Sequence, residues 1–350
     1  MSHGINVIGC VSSNTGLGVS ARNIVRLLLT KDCPVSILDL DPGESRGGYD
    51  LTFSRYFVKS AEDLSHPVNL TVLPMVSVPG FLVNSPLELL SAARLNVGCF
   101  WWELEVLPKR WIEGLGLFDV LLAGSRFIED TLKKSQLAVS TVFFRHPLYL
   151  SAEIRSARAQ FNLPGDAIVY ITICEPTSDL NRKNPFAAVE AFNRALRDHP
   201  RAHLVVRINN AAAGGSEAGL EQLRSRCQGN DRIHILDRAL GYEEILRLYA
   251  SADVFVALHR SEGLGLGLME AIRLGKPDMA NYQRQAEAGC FLDELRRLSE
   301  NRADLPRDKE ERRQRLENFR RARAGGALSM RARLSRKMGD IFNRHVLGKF

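Results

Sequence analysis

No apolar run in this sequence approaches the roughly 20 residues that a membrane-spanning helix needs, and none of its six cysteines has a close-spaced partner. The first absence argues for a chain that folds in water. The opening residues MSHGINVIGC also lack a basic leader followed by an apolar stretch, so the expected location is the cytoplasm. The second absence argues against a disulfide framework or a thiolate zinc site. Cys10, Cys33, Cys99, Cys174, Cys227 and Cys290 read as buried, reduced thiols. The histidines are dispersed, no H-E-x-x-H pattern occurs, and no metal is expected. A complete G-x-G-x-x-G is missing too, and no Lys-Ser/Thr follows the N-terminal glycines, so NAD and ATP find little support as ligands. Neither a solenoid repeat nor a low-complexity tract interrupts the chain before its Arg-rich end.

What is present is a 350-residue chain, 45% hydrophobic and 25% charged, long enough for two domains that each bury a core. Its formal charge of +7 suits anionic partners: nucleotide phosphates, an anionic membrane surface, or nucleic acid. Many of the arginines fall within 296–337, interleaved with acids as in DKEERRQRLENFRRARA. That stretch is compatible with a solvated helix carrying i,i+4 ion pairs and with contact at a membrane surface. Nucleic acid is set aside as a partner, because no aromatic–basic interleaving accompanies the charge.

Short apolar runs alternate with helical patterns throughout, the signature of an α/β sheet protein. Strands are expected at 5–11, 34–40, 69–73, 96–102 and 139–144, with FDVLLAGS a further one, and helices after SSNTGLG and from Arg126. A second alternation starts at 167–174 (AIVYITIC). It runs through helices at 185–198 and 218–227 to the strand DVFVALH and the helix LGLMEAIRLG. The parse is two Rossmann-like domains facing across a cleft. Residues 1–150 form the N-terminal Rossmann-like domain, 151–165 a linker, 166–290 the C-terminal Rossmann-like domain and 291–350 Arg-rich terminal helices.

Three motifs could carry chemistry. Gly16 and Gly18, between a strand and a helix, let the backbone approach a ligand at a helix N-terminus, although a tight turn without a ligand explains them equally well. Arg182 and Lys183 stand between a buried strand and a helix that opens with Pro185. They are either a surface basic pair or the compensation that a diphosphate leaving group requires. Strongest is Glu262 and Glu270, two acids eight residues apart around the turn Gly263-Leu264-Gly265-Leu266-Gly267. Carboxylates accept from sugar and ribose hydroxyls, and a glycine turn entering a helix presents amides to an anion.

With these residues the chain resembles the family-4 (group 1) glycosyltransferases of GT-B fold, of the bacterial surface-polysaccharide type. Glu262 and Glu270 match that family's Glu–seven residues–Glu hallmark, and RKNPFAAVEAF resembles its phosphate-binding segment. FWWELEVLPKRW and AGSRFIEDTL are similar to the same subgroup, and the likeness extends from residue 4 to about 277. The resemblance implies metal-independent transfer, with retention, of a hexose such as mannose from a nucleotide-sugar donor to a glycan or lipid-linked acceptor. The protein would be cytoplasmic or peripheral on the inner face of the plasma membrane. Arg182 and Lys183 would take the diphosphate, Glu270 the ribose, Glu262 the sugar hydroxyls, and the 263–267 turn would offer amides. Gly16 and Gly18 would face the donor from the first lobe, and Glu103 would lie on the acceptor side. Family members continue past the GKP turn with further sheet elements, whereas here Gly275-Lys276-Pro277 runs into what reads as a terminal helix. The C-terminal domain is therefore expected to be shortened, and a catalytically inactive relative acting as a binding or scaffold subunit is the alternative function.

Overall fold

Runs of β-branched residues separated by amphipathic segments build two parallel sheets. The computed structural model describes residues 4–40 and 49–280, apart from 92, 152, 197, 210–216 and 277, together with 314 and 317–321. These divide into two compact units. The chain up to Tyr149 forms the first, with 314 and 317–321, and the residues from Leu150 to 280 form the second.

The first unit runs β1 (Ile5–Gly9), α1 (Gly16–Leu29), β2 (Val35–Asp39), β3 (Val68–Pro74), α2 (Val78–Asn84), β4 (Leu95–Trp101), α3 (Lys109–Leu115), β5 (Val120–Ala123), α4 (Arg126–Lys134) and β6 (Ser140–Phe143). The strands lie in the order β2-β1-β3-β4-β5-β6, every pairing parallel. Parallel strands covered on both faces read as continuous apolar runs, and β1 and β4 are buried along their whole length. Polar exceptions fall in register: Asn6 pairs with Asn69, and Asn69 with Asn96. Asn6 Nδ2 donates to Asn69 Oδ1 at 2.9 Å, and Asn69 Nδ2 donates to Asn96 Oδ1 at 3.0 Å. Asn96 Nδ2 then donates to the Ser91 carbonyl at 3.0 Å. All three residues are 0% exposed. A register slip of one residue would send each amide to the opposite face without its partner, so the ladder pins three adjacent strands.

The described C-terminal residues pack onto this unit. Phe319 is 5% exposed, and its ring fills the space left by Gly114 of α3, where an added Cβ would lie 3.1 Å from it. Beside it, Arg320 donates to the carbonyls of Leu82, at 2.8 Å, and Ser85.

The second unit runs β7 (Ile168–Cys174), α5 (Leu180–Lys183), α6 (Pro185–Ala195), β8 (Ala202–Ile208), α7 (Glu217–Cys227), β9 (Ile233–Leu236), α8 (Tyr242–Ser251), β10 (Val254–Ala257), α9 (Leu266–Arg273) and β11 (Asp278–Ala280). Its order, β11-β10-β7-β8-β9, is again parallel throughout. One face packs Val169, Ile171, Val205 and Phe255 under α8 and α9. The other packs Leu204, Val206 and Ile208 under α6 and α7.

Two expectations change. The 151–165 segment is not a free-standing linker, because Ile154, Phe161 and Leu163 are buried in the second unit's core. Arg158 ties the segment to β10 through Asp253, at 2.6 Å, and to the Ser251 carbonyl. After Lys276 the chain forms β11, not terminal helix, and β11 pairs with β10 from Phe255↔Asp278 to Ala257↔Ala280. The stretch that would show a shortening of this domain, from 281 onward, lies outside the described residues, as does most of the Arg-rich end.

Replacing Asn69 by alanine removes the acceptor of one Asn6 N–H and the donor to the Asn96 side-chain oxygen and the Leu89 carbonyl, all in a buried site. The expected loss is about 2–4 kcal/mol in urea denaturation, far above the effect of a surface change. A loss below about 0.5 kcal/mol would show that the ladder does not hold the register.

Candidate functional site

In the second unit the strand order reverses between β7 and β10. Chain connections leave the carboxyl ends of these two strands in opposite directions, which opens a crevice where α/β sheets bind ligands. Both motif loops emerge there. After β7, Asp179 at φ +74° caps α5 by accepting from the Asn181 N–H at 2.8 Å. Asn184 at φ +45° ends that single turn and Pro185 starts α6. After β10, Gly265 at φ +73° turns the chain into α9, a conformation that favours glycine.

Hydrogen bonds stitch the two loops together. Arg260 N donates to the Arg182 carbonyl at 2.8 Å and its Nε to the Asn181 carbonyl at 3.0 Å. Asn184 Nδ2 donates to the Leu258 carbonyl at 2.9 Å, and Arg182 Nη1 to the Ser261 carbonyl at 3.1 Å. Between them sits Glu262, its side chain 9% exposed. Its Oε1 accepts from Arg182 Nη1 at 3.1 Å and from Lys183 Nζ, and His259 Nδ1 lies 2.8 Å away. Burial pushes the carboxyl up, but Lys183, His259 and Arg182 outweigh it and hold Glu262 well below the usual carboxylate range. Two permanent cations on one acid leave this buried corner with surplus positive charge, which suits an anion.

Glu270, on α9, meets the opposite environment. It is 3% exposed, and the Tyr242 hydroxyl donates to its Oε1 at 2.8 Å. Burial raises its carboxyl to about 8, with the Tyr242 bond pulling the other way. Two acids eight residues apart thus have opposite protonation states near neutrality, one ionised and one neutral.

The remaining glycines divide by role. Gly263 and Gly265 are buried, with Leu264 and Leu266 partly so. A Cβ on Gly267 would lie 2.7 Å from Ile173 Cδ1, so this glycine allows α9 to pack closely on β7. In the first unit Gly16 is the exposed first residue of α1. A Cβ on Gly18 would lie 1.9 Å from the Ser13 carbonyl oxygen, so the loop's own fold requires that glycine. Buried Arg22 organises the loop, donating to the Val11 and Ser13 carbonyls at 2.7 and 2.8 Å and pairing with Asp50 at 2.9 Å. Glu103 directly follows Trp102, whose ring packs edge-on against Trp111 at 4.9 Å.

Sequence reasoning assigned no role to His259 or Tyr242. His259 stands three residues before Glu262, a spacing visible in the motif itself. Tyr242 lies on another helix and gave no signal. At the same sheet edge, Asn209 Nδ2 donates to Glu175 Oε2 at 2.6 Å, while buried Arg207 donates to Asn209 Oδ1 at 3.1 Å. His199 and His203 stand four apart but bracket a turn; His203 stacks instead on His234, with their nitrogens 2.9 Å apart. Among the described residues no three His, Cys, Asp or Glu side chains converge as a metal site would require. No described helix is long and apolar enough to cross a membrane.

Glu270 also couples stability to pH. Its carboxyl remains protonated in the folded protein up to about pH 8 but ionises near 4.5 when unfolded. Across that window the folded state holds the extra proton, so stability falls as pH rises, by up to about 1.4 kcal/mol per unit. Glu262, depressed by its cations, acts oppositely: its contribution is lost as pH drops through the acid range. Glu270→Gln should therefore gain on the wild type between pH 5 and pH 8 in urea denaturation. Parallel pH curves for the two proteins would refute this assignment.

Residues 158–281, about a third of the chain, match the family model described as glycosyl transferases group 1. No curated protein sequence matches the chain. Among solved structures it is similar to sucrose-phosphate synthase from Thermosynechococcus elongatus, at 15% identity and TM-score 0.56, covering 97% of this chain and 98% of that one. HepE from Anabaena, solved with UDP-glucose, aligns at 11% identity and TM-score 0.53 over 96% of this chain and 99% of its own. OtsA aligns at 11% identity and TM-score 0.53, over 97% and 96%. These likenesses extend over nearly the whole of each chain. The protein thus has the two-unit α/β fold termed GT-B, and its second unit, which holds Arg182, Lys183, Glu262 and Glu270, is the part that matches the group 1 glycosyl transferase model.

Proposed function

We propose that the protein is a glycosyltransferase that binds a nucleotide-sugar on its second unit and transfers the sugar, with retention and without a metal, to a glycan or lipid-linked hydroxyl. The observation that carries this reading is the placement of Arg182 and Lys183 on the buried carboxylate of Glu262 at the sheet's switch point. When the bond between the sugar's anomeric carbon and the diphosphate breaks, its electron pair leaves with the phosphate. The acceptor oxygen forms the new bond and passes its proton to the departing diphosphate oxygen. Two fixed cations at the developing phosphate charge favour that step, because they need no reorganisation as it proceeds. Glu262 then serves the donor sugar's hydroxyls, Glu270 the ribose, and the 263–267 backbone the remaining phosphate and sugar oxygens.

The match to the group 1 model supports the activity, and the UDP-glucose named with HepE makes UDP-hexoses the first donors to try. A hexose such as mannose, a role in surface-polysaccharide assembly and attachment to an anionic membrane belong to the same proposal. The last of these is supported by the +7 formal charge.

Donor hydrolysis and transfer, followed across UDP-, GDP- and ADP-hexoses, test the reading. Lys183→Ala and Glu262→Gln are each expected to lower turnover by about a hundredfold or more while the protein stays folded by circular dichroism. Full activity in both variants, or a wild type that neither binds nor turns over any donor, would sink it.

A further inference from the structure

Glu262 is surrounded by cations, whereas the hydrogen-bond partner of Glu270 among the described residues is Tyr242. That hydroxyl arrives from the first residue of α8, whose entry is fixed by Glu244 accepting from the Gly241 N–H at 3.0 Å. Glu244 is braced in turn by Gln160 and Arg238, at 3.1 and 3.4 Å. The tyrosine is therefore mounted on a tied-down helix start, and its 2.8 Å bond engages one carboxyl oxygen, Oε1. Among the described residues no protein donor reaches Oε2. The groups packed around the carboxyl are few. Tyr249, also on α8, feels Glu270 and has its own hydroxyl pushed far up by burial. Arg207 of β8 influences Tyr249, and among the described residues no cation acts on Glu270. Tyr242 is thus the one neighbour that favours the ionised, accepting form of this acid.

We propose that Tyr242 is a positioning residue that turns the Glu270 carboxyl so that Oε2 accepts from the 2′,3′-diol of a bound nucleoside diphosphate, and so sets a preference for ribose over 2′-deoxyribose. The inference rests on the nucleotide reading above and adds to it a residue and a discrimination. A protonated carboxyl offers a diol a donor and a weaker acceptor; an ionised one accepts from both hydroxyls. Ribose binding then releases the Glu270 proton, and affinity for the ribonucleotide rises with pH toward about 8. A 2′-deoxy ligand forfeits one of the two bonds and leaves the buried acceptor underused.

Calorimetric titration of UDP against 2′-deoxy-UDP, and of GDP against 2′-deoxy-GDP, between pH 6.5 and 9 tests this, with thermal melts to confirm folding. The wild type should prefer the ribonucleotide about tenfold, the value of one hydrogen bond to a charged group. In Tyr242→Phe that preference should collapse to within about twofold, deoxy binding should hardly change, and the pH midpoint for the ribonucleotide should move upward. Glu270→Gln, which leaves Tyr242 in place, should bind the ribonucleotide with no pH dependence across the range. A Tyr242→Phe protein with the wild-type ratio and midpoint overturns this inference alone, and so does a Glu270→Gln protein that keeps the pH dependence. A wild type that binds none of the four nucleotides overturns the nucleotide reading, and the inference with it.

Discussion

Arg182, Lys183 and His259 all approach one oxygen, Oε1 of Glu262, and the geometry of the second unit's crevice follows from that convergence. Two of the three come from the end of β7 and one from the end of β10, so the carboxylate joins loops that are 80 residues apart in sequence at its Arg182 bond. The backbone bonds from Arg260 and Asn184 hold the same junction. Without the acid, a buried guanidinium and a nearly buried ammonium would face each other uncompensated, an arrangement that costs several kcal/mol. Glu262 therefore has a structural duty in the ligand-free protein whatever it does for a substrate.

The two motif acids show how far environment outweighs residue type. Both are glutamates, both are buried, and a single turn separates them. One is flanked by cations, which hold it ionised; the other is raised by burial to about 8, against the pull of the Tyr242 hydroxyl. An ionised acid beside the cations holds them in place. A neutral buried acid needs no counter-charge.

Much of this was legible in the sequence because it follows periodicity or spacing. The buried strands showed as apolar runs, α1 as the helix expected after SSNTGLG, and the acidic pair as a fixed interval around glycines. What was illegible follows from other physics. A helix as short as α5 spans one turn and has no periodicity to detect. Asn6, Asn69 and Asn96 look like interruptions in apolar strands until pairing brings them together. The 151–165 segment resembled a connector because its apolar residues are spaced irregularly, yet Phe161 and Leu163 reach the core from a turn. Tyr242 meets Glu270 only through the packing of α8 on α9. Gly18 left a ligand approach and a tight turn equally open in the sequence, and the close approach of the Ser13 carbonyl that requires this glycine comes from the fold of the loop.

The seat of Phe319 against Leu82 and Gly114 bears on how the chain is made. Synthesis proceeds from the N-terminus, and domains commonly fold as they emerge. Here the first unit's sheet can assemble once β6 has appeared, but the surface of α2 and α3 waits for a residue near 319, until the entire second unit has been translated. During that interval an apolar depression and the carbonyls of Leu82 and Ser85 face solvent on a nascent protein. The first unit is begun early but completed only after the second unit has been made, so its closure joins residues more than 200 positions apart.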